Sequence, residues 1–372
     1  MSLSRRIGFD AGPAHATYSG IGQYVRQLFP AMYQLNSSIE WVGFSPTKQM
    51  AQSNGLESLA SLTIKPSESG WLPHWMGHSL ESLDLFHGTN FKAPNYGQKK
   101  TIVTIHDLWL DRFPVYSKKL FGQRLSSWKT LRGATRAEKI IAVSEFSKQE
   151  LHEVFGISLD KIAVIYHGCS SDMYPDGHEN SWLEVRTRLG LPERPFVVFV
   201  GGAEPRKNHR VLFEAFAQSP RLRKDYSLVA IGEKSVRGES LHRTAEEMGL
   251  SEVVICPGFL AIADLRMIYS QAEVFVFPSL YEGFGFPLLE AMACGTPIIT
   301  GQETALPEVA GDAALYVNTR DSEQLRTQLE QLLNDSILQT QMRKNGFERV
   351  KRYSWERAAR ETLAVYQEVC DS

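Results

Sequence analysis

Glu282 and Glu290 stand seven intervening residues apart in the stretch from Pro278 to Pro297 (PSLYEGFGFPLLEAMACGTP), with Gly283 and Gly285 between them. A carboxylate only accepts hydrogen bonds, so two of them so spaced suit a ligand rich in hydroxyls. Glu282 could receive sugar hydroxyls, and Glu290, about one helical turn further on, could receive both hydroxyls of a ribose. Gly283 and Gly285 permit positive φ and close backbone approach, and Pro287 suits the first turn of a helix. The free N–H groups of such a helix end attract phosphate. On their own, two glutamates could equally be a solvated side chain and the partner of a surface arginine, because charged residues are usually exposed.

A second group lies upstream, in FVVFVGGAEPRKNH from Phe196 to His209. An apolar strand runs into a Gly-Gly turn, and Arg206 and Lys207 then stand at the start of an amphipathic helix carrying Val211, Leu212, Ala215 and Phe216. Cations are better placed at the other end of a helix, so a pair at this end implies that an anion is expected there. An isolated Arg-Lys pair would simply be solvated. A third group, His106 and Asp107, closes the strand Thr101 to Ile105, although an Asp in that place is also an ordinary cap residue. The fourth is Gly20 and Gly22 in YSGIGQYV, Tyr18 to Val25. It is not a dinucleotide fingerprint, which needs a third glycine where Val25 stands and a tight turn directly after the strand.

Each group follows an apolar run that reads as a buried strand. Candidate strands fall near Arg6, Trp41, Leu62, Leu83, Thr101, Lys139 and Ile162. In the second half they fall near Phe196, Ser227, Val253, Glu273, Thr296 and Ala313, with helical or loop segments between. This is an α/β chain with mostly parallel sheets, in which ligands bind beyond the carboxyl ends of strands. Ser170 to Arg194 is polar, contains Pro175, Gly177, Pro192 and a short helical stretch, and reads as a linker. Ser322 to Val369 reads as helical, with Ser354 capping a last helix from Trp355.

The segment around Glu282 and Glu290 resembles the E-x7-E signature of family 4 retaining glycosyltransferases, over about twenty consecutive positions. The resemblance covers most of the chain and is strongest after residue 195. It implies the GT-B fold, two Rossmann-like domains facing each other across a cleft. Residues 1–168 would form an N-terminal acceptor-binding domain and residues 195–352 a C-terminal nucleotide-sugar-binding domain. Residues 353–372, which begin inside the Arg352-Tyr-Ser-Trp-Glu356 crossing, would return to the first domain. The implied donor contacts are Glu282 on the sugar, Gly283, Phe284, Gly285 and Phe286 through their amides, and Glu290 on the ribose. Arg206 and Lys207 would neutralise the diphosphate, Gly20 and Gly22 would face it, and His106, with Asp107, would position the donor sugar. The catalytic set is then His106, Glu282, Arg206 and Lys207. Gly202 and Ala203 depart from the family pattern, which often has an Arg after the first glycine. The nucleotide base would rest near Val254 to Phe259, on Gly258 and Phe259.

The resemblance further implies transfer with retention of configuration. The PRKN and TIHDL forms are similar to those of bacterial GDP-mannose-dependent enzymes of lipopolysaccharide and exopolysaccharide assembly, which points to GDP-mannose as donor and a glycan or polyprenyl-diphosphate-linked acceptor. A UDP-sugar donor is the alternative, as is an inactive sugar-nucleotide-binding assembly partner. The chain has no Asp-x-Asp triplet of the kind that holds a divalent ion in the other major glycosyltransferase fold. The expectation is therefore no metal and no cofactor.

At 372 residues the chain is long enough for two such domains, and 43% hydrophobic with 22% charged residues is ordinary for a folded protein. A net charge of -2 argues against general nucleic-acid binding. Cys169, Cys256, Cys294 and Cys370 form no C-x-x-C pair and read as thiols of a reducing compartment. Without an apolar run of membrane-helix length or a signal-peptide core, the expected location is the cytoplasm, with possible attachment to the inner membrane face. Between Lys118 and Lys139, basic residues (Lys118, Lys119, Arg124, Lys129, Arg132, Arg136 and Lys139) interleave with Leu120, Phe121, Leu125, Trp128 and Leu131. Such a helix could lie on anionic lipid, or its apolar side could pack on the domain core; both accounts fit.

Overall fold

The computed structural model describes residues 5–16, 19–45, 59, 63–66, 83–91, 100–113, 131–191, 193–232, 235–236 and 239–372. The chain divides into two compact units, Met1–Gly168 with Ser354–Ser372, and Cys169–Tyr353. Tyr18 and the part of the basic segment from Lys118 to Lys129 lie outside the described residues.

The first unit is built on β1 (Arg6–Asp10), β2 (Glu40–Ser45), β3 (Thr63–Pro66), β4 (Leu85–Gly88), β5 (Lys100–Ile105), β6 (Lys139–Ala142) and β7 (Ile162–Val164). They pair in the order β3-β2-β1-β4-β5-β6-β7, all parallel. Buried on both faces, these strands read as runs rich in β-branched residues, β5 as KTIVTI and β6 as KIIA. The order reverses between β1 and β4, and a crevice for ligands opens at the carboxyl end of such a reversal.

Two helices of this unit bear on its site, α1 (Gly20–Leu35) and the last helix (Trp355–Asp371), which packs along it. The last helix is capped by Ser354, whose hydroxyl accepts from the Arg357 amide at 3.1 Å. It buries Trp355, Ala358, Ala359, Thr362, Val365, Tyr366 and Val369, one stripe at helical spacing. A chain of buried polar groups then ties it to the sheet. The Tyr366 hydroxyl bonds His87 Nδ1 at 2.6 Å, His87 Nε2 bonds Thr104 Oγ1 at 2.7 Å, and Tyr24 of α1 bonds the same Oγ1 at 2.8 Å.

The second unit repeats the scheme. Its strands are β8 (Phe196–Val200), β9 (Ser227–Ile231), a small ribbon of β10 (Ser235–Val236) and β11 (Glu239–Ser240), β12 (Val254–Gly258), β13 (Val274–Phe277), β14 (Ile298–Gly301) and β15 (Ala314–Val317). The main sheet runs β12-β9-β8-β13-β14-β15, again all parallel, with its reversal between β8 and β13. Counted within the unit, this is the 3-2-1-4-5-6 order of a dinucleotide-type sheet. The helices used below are α2 (His209–Gln218), α3 (Ile262–Gln271) and α4 (Phe286–Cys294). The segment read as a linker contains the helix Glu179–Leu189. Asp176 beside that helix is buried and takes Arg266 of α3 at 2.9 Å. No helix among the described residues is long and apolar enough to cross a membrane.

His87, His106 and His167 are all buried around Tyr24. Burial, with the neighbouring His106, drives His87 down to about 3. Burial drives His106 down to about 4 against the Thr89 carbonyl, which favours the proton, and places His167 well below its ordinary value. The unfolded chain protonates near 6.5, so acid favours unfolding: the stability of the neutral state is lost as pH falls from about 6.5 towards 3. Hydrogen exchange in peptides of α1 and of the last helix should therefore accelerate between pH 7.5 and 5 after correction for intrinsic rates. His87→Gln should flatten that acceleration, and an unchanged slope in the variant would count against the assignment.

Candidate active site

The loops that follow β8 and β13, the two strands at the sheet reversal of the second unit, carry the charged groups. Pro205–Lys207 is a single 3-10 turn, and α2 begins only at His209. Arg206 and Lys207 are therefore not the first residues of the amphipathic helix, as the sequence suggested. Left-handed Asn208, at φ 54°, breaks the chain direction between turn and helix. What offsets the two positive charges is a carboxylate rather than helix geometry. Glu282 Oε1 accepts from Lys207 Nζ at 2.6 Å, and Glu282 Oε2 accepts from Arg206 at 3.0 Å. Arg206 also pairs with Glu204 at 2.8 Å, and Lys207 Nζ lies 5.2 Å from the centre of the Phe277 ring.

Glu282 is 7% exposed, so it is not a solvated loop residue. Burial would raise its carboxyl, but the charges of Lys207 and Arg206 prevail and hold it below the ordinary range. Lys207 is lowered by burial and by Arg206 beside it, and Glu282 works against that fall. The backbone fixes the cluster. Leu280 N–H donates to the Arg206 carbonyl at 2.7 Å, and the Glu282 amide donates to Thr304 Oγ1 at 3.3 Å, with Thr304 itself in the left-handed region at φ 65°.

Gly285, at φ 107°, is the N-cap of α4, and no side chain caps that helix. Phe284 is buried, edge-on to Phe286 and to Tyr353, so its ring belongs to the protein and only its backbone can serve a ligand. Gly283 is not among the residues at positive φ. Glu290 sits in the second turn of α4, 8% exposed, with the buried Tyr269 hydroxyl donating to its Oε2 at 3.4 Å. Burial pushes its carboxyl up to about 7, although Tyr269 and the charge of Lys207 favour ionisation. Gly258 ends β12 at φ 92°, and Phe259 beyond it is about half exposed.

In the first unit, His106 follows β5 and is buried. Its Nε2 lies 2.9 Å from the Thr89 carbonyl, which can only accept, so Nε2 carries the proton and Nδ1 is left as an acceptor. The ring stacks on His167 at 5.5 Å and meets the edge of Tyr24 at 5.0 Å. Asp107 accepts from the Trp109 amide at 3.2 Å, a local turn contact two residues on, just ahead of the short helix Trp109–Arg112, whose N-cap is Leu108. Gly20 and Gly22 open α1. A Cβ on Gly22 would lie 2.4 Å from the Ala16 carbonyl oxygen, so close packing against the preceding turn already requires a glycine there. Sequence reading missed Asn208, Glu204, Tyr269, His167 and Thr304. Only Asn208, adjacent to Lys207, carried a hint.

Residues 184–349 match the family model for glycosyl transferases group 1, and residues 18–172 match the model for glycosyltransferase family 4. The chain is 31% identical over 285 residues to O-antigen chain mannosyltransferase B of Escherichia coli, covering 76% of this chain and 74% of that protein. The chain belongs to glycosyltransferase family 4. It is a glycosyltransferase of the GT-B fold, with two Rossmann-like domains. It is also 30% identical over 268 residues to the serotype-specific mannosyltransferase WbdA of Escherichia coli, covering 70% of this chain but 32% of WbdA, about a third of that protein's length. The structure of Anabaena HepE in complex with UDP-glucose superposes with a TM-score of 0.80 at 16% identity, covering 98% of this chain and 100% of HepE. That similarity bears on the fold alone.

Removing the Glu282 carboxylate takes from Lys207 its ion-pair partner and leaves it beside Arg206, which keeps Glu204. Glu282→Gln is expected to lower the stability of the second unit by about 3–5 kcal/mol in denaturant unfolding at pH 7.5, the cost of breaking a buried ion pair from one side. Lys207→Met, which leaves Glu282 paired with Arg206, should cost less. Because the Glu282 carboxyl is held below its ordinary value, its contribution is present at neutral pH and lost as pH falls through the folded value. A Glu282→Gln protein as stable as wild type would show that the carboxylate does not hold the pair.

Proposed function

We propose that this chain transfers mannose from GDP-mannose, with retention of configuration and without a metal, to a glycan or polyprenyl-diphosphate-linked acceptor in cell-surface polysaccharide assembly. The observation that carries the chemistry is the Arg206–Lys207–Glu282 cluster at the sheet reversal, beside the uncapped start of α4. Breaking the sugar C1–O bond sends its electron pair to the diphosphate oxygen. Cations already in place stabilise that charge without reorganising, as a divalent ion does in other glycosyltransferases. Glu282 keeps further lone pairs beyond those used by Arg206 and Lys207, and these can take a hydroxyl of the donor sugar. His106, neutral at physiological pH, offers Nδ1 to a sugar hydroxyl. The acceptor hydroxyl attacks C1 on the face the diphosphate leaves, and its proton passes to the leaving phosphate oxygen. The naming of the two Escherichia coli relatives as mannosyltransferases, one of them of the O-antigen chain, supports the sugar and the setting. Work at the cytoplasmic face of the membrane belongs to the same reading.

Two measurements test it. Incubation with labelled GDP-mannose, and separately with UDP-glucose, together with mannosyl acceptors in EDTA should give an α-linked mannoside from GDP-mannose only. Dependence on a divalent ion, or transfer from the UDP-sugar alone, would overturn the corresponding part. Accepting from both ribose hydroxyls takes both oxygens of an ionised Glu290, whose carboxyl burial pushes up to about 7. GDP-mannose affinity should then rise about tenfold per pH unit below that value and level off above it, with close to one proton released per donor at pH 6. Calorimetry in buffers of different ionisation enthalpy reads this directly. Glu290→Gln should bind more weakly with a flat profile; a wild-type profile already flat would contradict the ribose assignment.

A further inference from the structure

Asn208 departs from what its position calls for. An Asn at a helix N-cap ordinarily turns its side-chain oxygen to the first amides of the helix. At the start of α2 it makes no such bond. Its Nδ2 instead donates to the Pro278 carbonyl at 3.1 Å and to the Thr319 carbonyl at 2.6 Å. Both partners are carbonyl oxygens, so only the amide NH2 can face them, and both donors are used. Pro278 follows β13 and Thr319 follows β15, with β14 between these strands in the sheet. One side chain thus draws together the loop beyond β8, the Glu282 loop and the loop after the edge strand.

Gly301, the last residue of β14, makes room for this closure. A Cβ there would lie 2.6 Å from Thr319 Cγ2, and Thr319 is β-branched and 2% exposed, with little freedom to turn aside. The backbone conformation contributes as well. At φ 54° Asn208 occupies a region that Asn tolerates better than most side chains and Gly adopts freely. Its own amide closes the cationic turn onto the Pro205 carbonyl at 3.2 Å.

We propose that Asn208 is a positioning residue for the transfer reaction: by holding the loops beyond β13 and β15, it fixes the turn that presents Arg206 and Lys207 to a diphosphate. This rests on the reading of those cations as the diphosphate site. The turn is tied to the neighbouring loops by Leu280 N–H to the Arg206 carbonyl, by the pairs of Glu282 with both cations and by the two bonds from Asn208, so removing the last loosens the placement of the cations without removing any charge.

The test compares affinities for GDP and GMP, because the distal phosphate reports the cations while the rest of the nucleotide does not. Wild type, Asn208→Gly, Gly301→Ala and Lys207→Ala are titrated calorimetrically in EDTA, with melting temperatures measured alongside. Asn208→Gly retains the left-handed backbone and should remain folded. Its GDP-over-GMP preference should fall about tenfold, the size of one or two lost hydrogen bonds, while GMP affinity stays within about twofold. Gly301→Ala, which displaces Thr319 from the other side, should lower the same ratio. A ratio unchanged in both Asn208→Gly and Gly301→Ala but lost in Lys207→Ala would overturn the positioning role and leave the site reading intact. A wild type without preference for GDP, or a Lys207→Ala protein that keeps it, would overturn the site reading and this proposal with it.

Discussion

The ion cluster of Glu282 with Arg206 and Lys207 is the interaction on which the candidate site depends. Two cations held side by side repel, and each resists leaving water. A single buried carboxylate, reached at 2.6 Å by one and 3.0 Å by the other, resolves both problems while the site waits for a ligand. The same arrangement determines what can bind. A diphosphate brings enough negative charge to engage both cations without expelling Glu282, and the carboxylate is left to face the sugar. Neutral ligands meet a site whose charges already satisfy one another.

The sheet explains why these groups meet although they lie 76 and 75 residues from Glu282 in sequence. In a parallel sheet whose order reverses between β8 and β13, the loops leaving these neighbours diverge to opposite faces and enclose a crevice. Arg206 and Lys207 come from one loop and Glu282 from the other. Glu290 then follows from the geometry of α4, close enough to Lys207 for that charge to favour its ionisation. The first unit uses the same device. Thr89, after β4, donates through its hydroxyl to the carbonyl of Asp10, the last residue of β1, at 2.7 Å and accepts from His106 Nε2 on its own carbonyl. The tautomer of His106 is thereby set by a backbone group at the reversal.

Strands were the most legible part of the chain, because a parallel strand buried on both faces must be an uninterrupted apolar run. FVVFV and VFVF are such runs, and KTIVTI is marked as a strand by its β-branched residues. Ser354 as a cap was legible for a similarly local reason. Misplacing Arg206 and Lys207 at a helix start had a physical cause: the apolar periodicity of α2 extends back towards them, and only the left-handed Asn208 separates turn from helix. Pairings between elements distant in sequence, Tyr269 of α3 with Glu290 of α4 and Asn208 with the Thr319 carbonyl, leave no periodic trace, since they depend on how the elements are arranged rather than on spacing. Asp107 and Gly22 show the opposite case, where residues that look functional in sequence already have local structural work, in a turn hydrogen bond and a close contact.

A crystal structure of the chain with GDP-mannose, grown in EDTA, tests the central claim most directly. The account predicts the diphosphate oxygens within hydrogen-bond distance of Lys207 Nζ and the Arg206 guanidinium, the ribose hydroxyls on Glu290, and no ion between the phosphates and the protein. A nucleotide bound with its diphosphate away from Arg206 and Lys207, with Glu282 still holding both cations and facing no ligand, would contradict it.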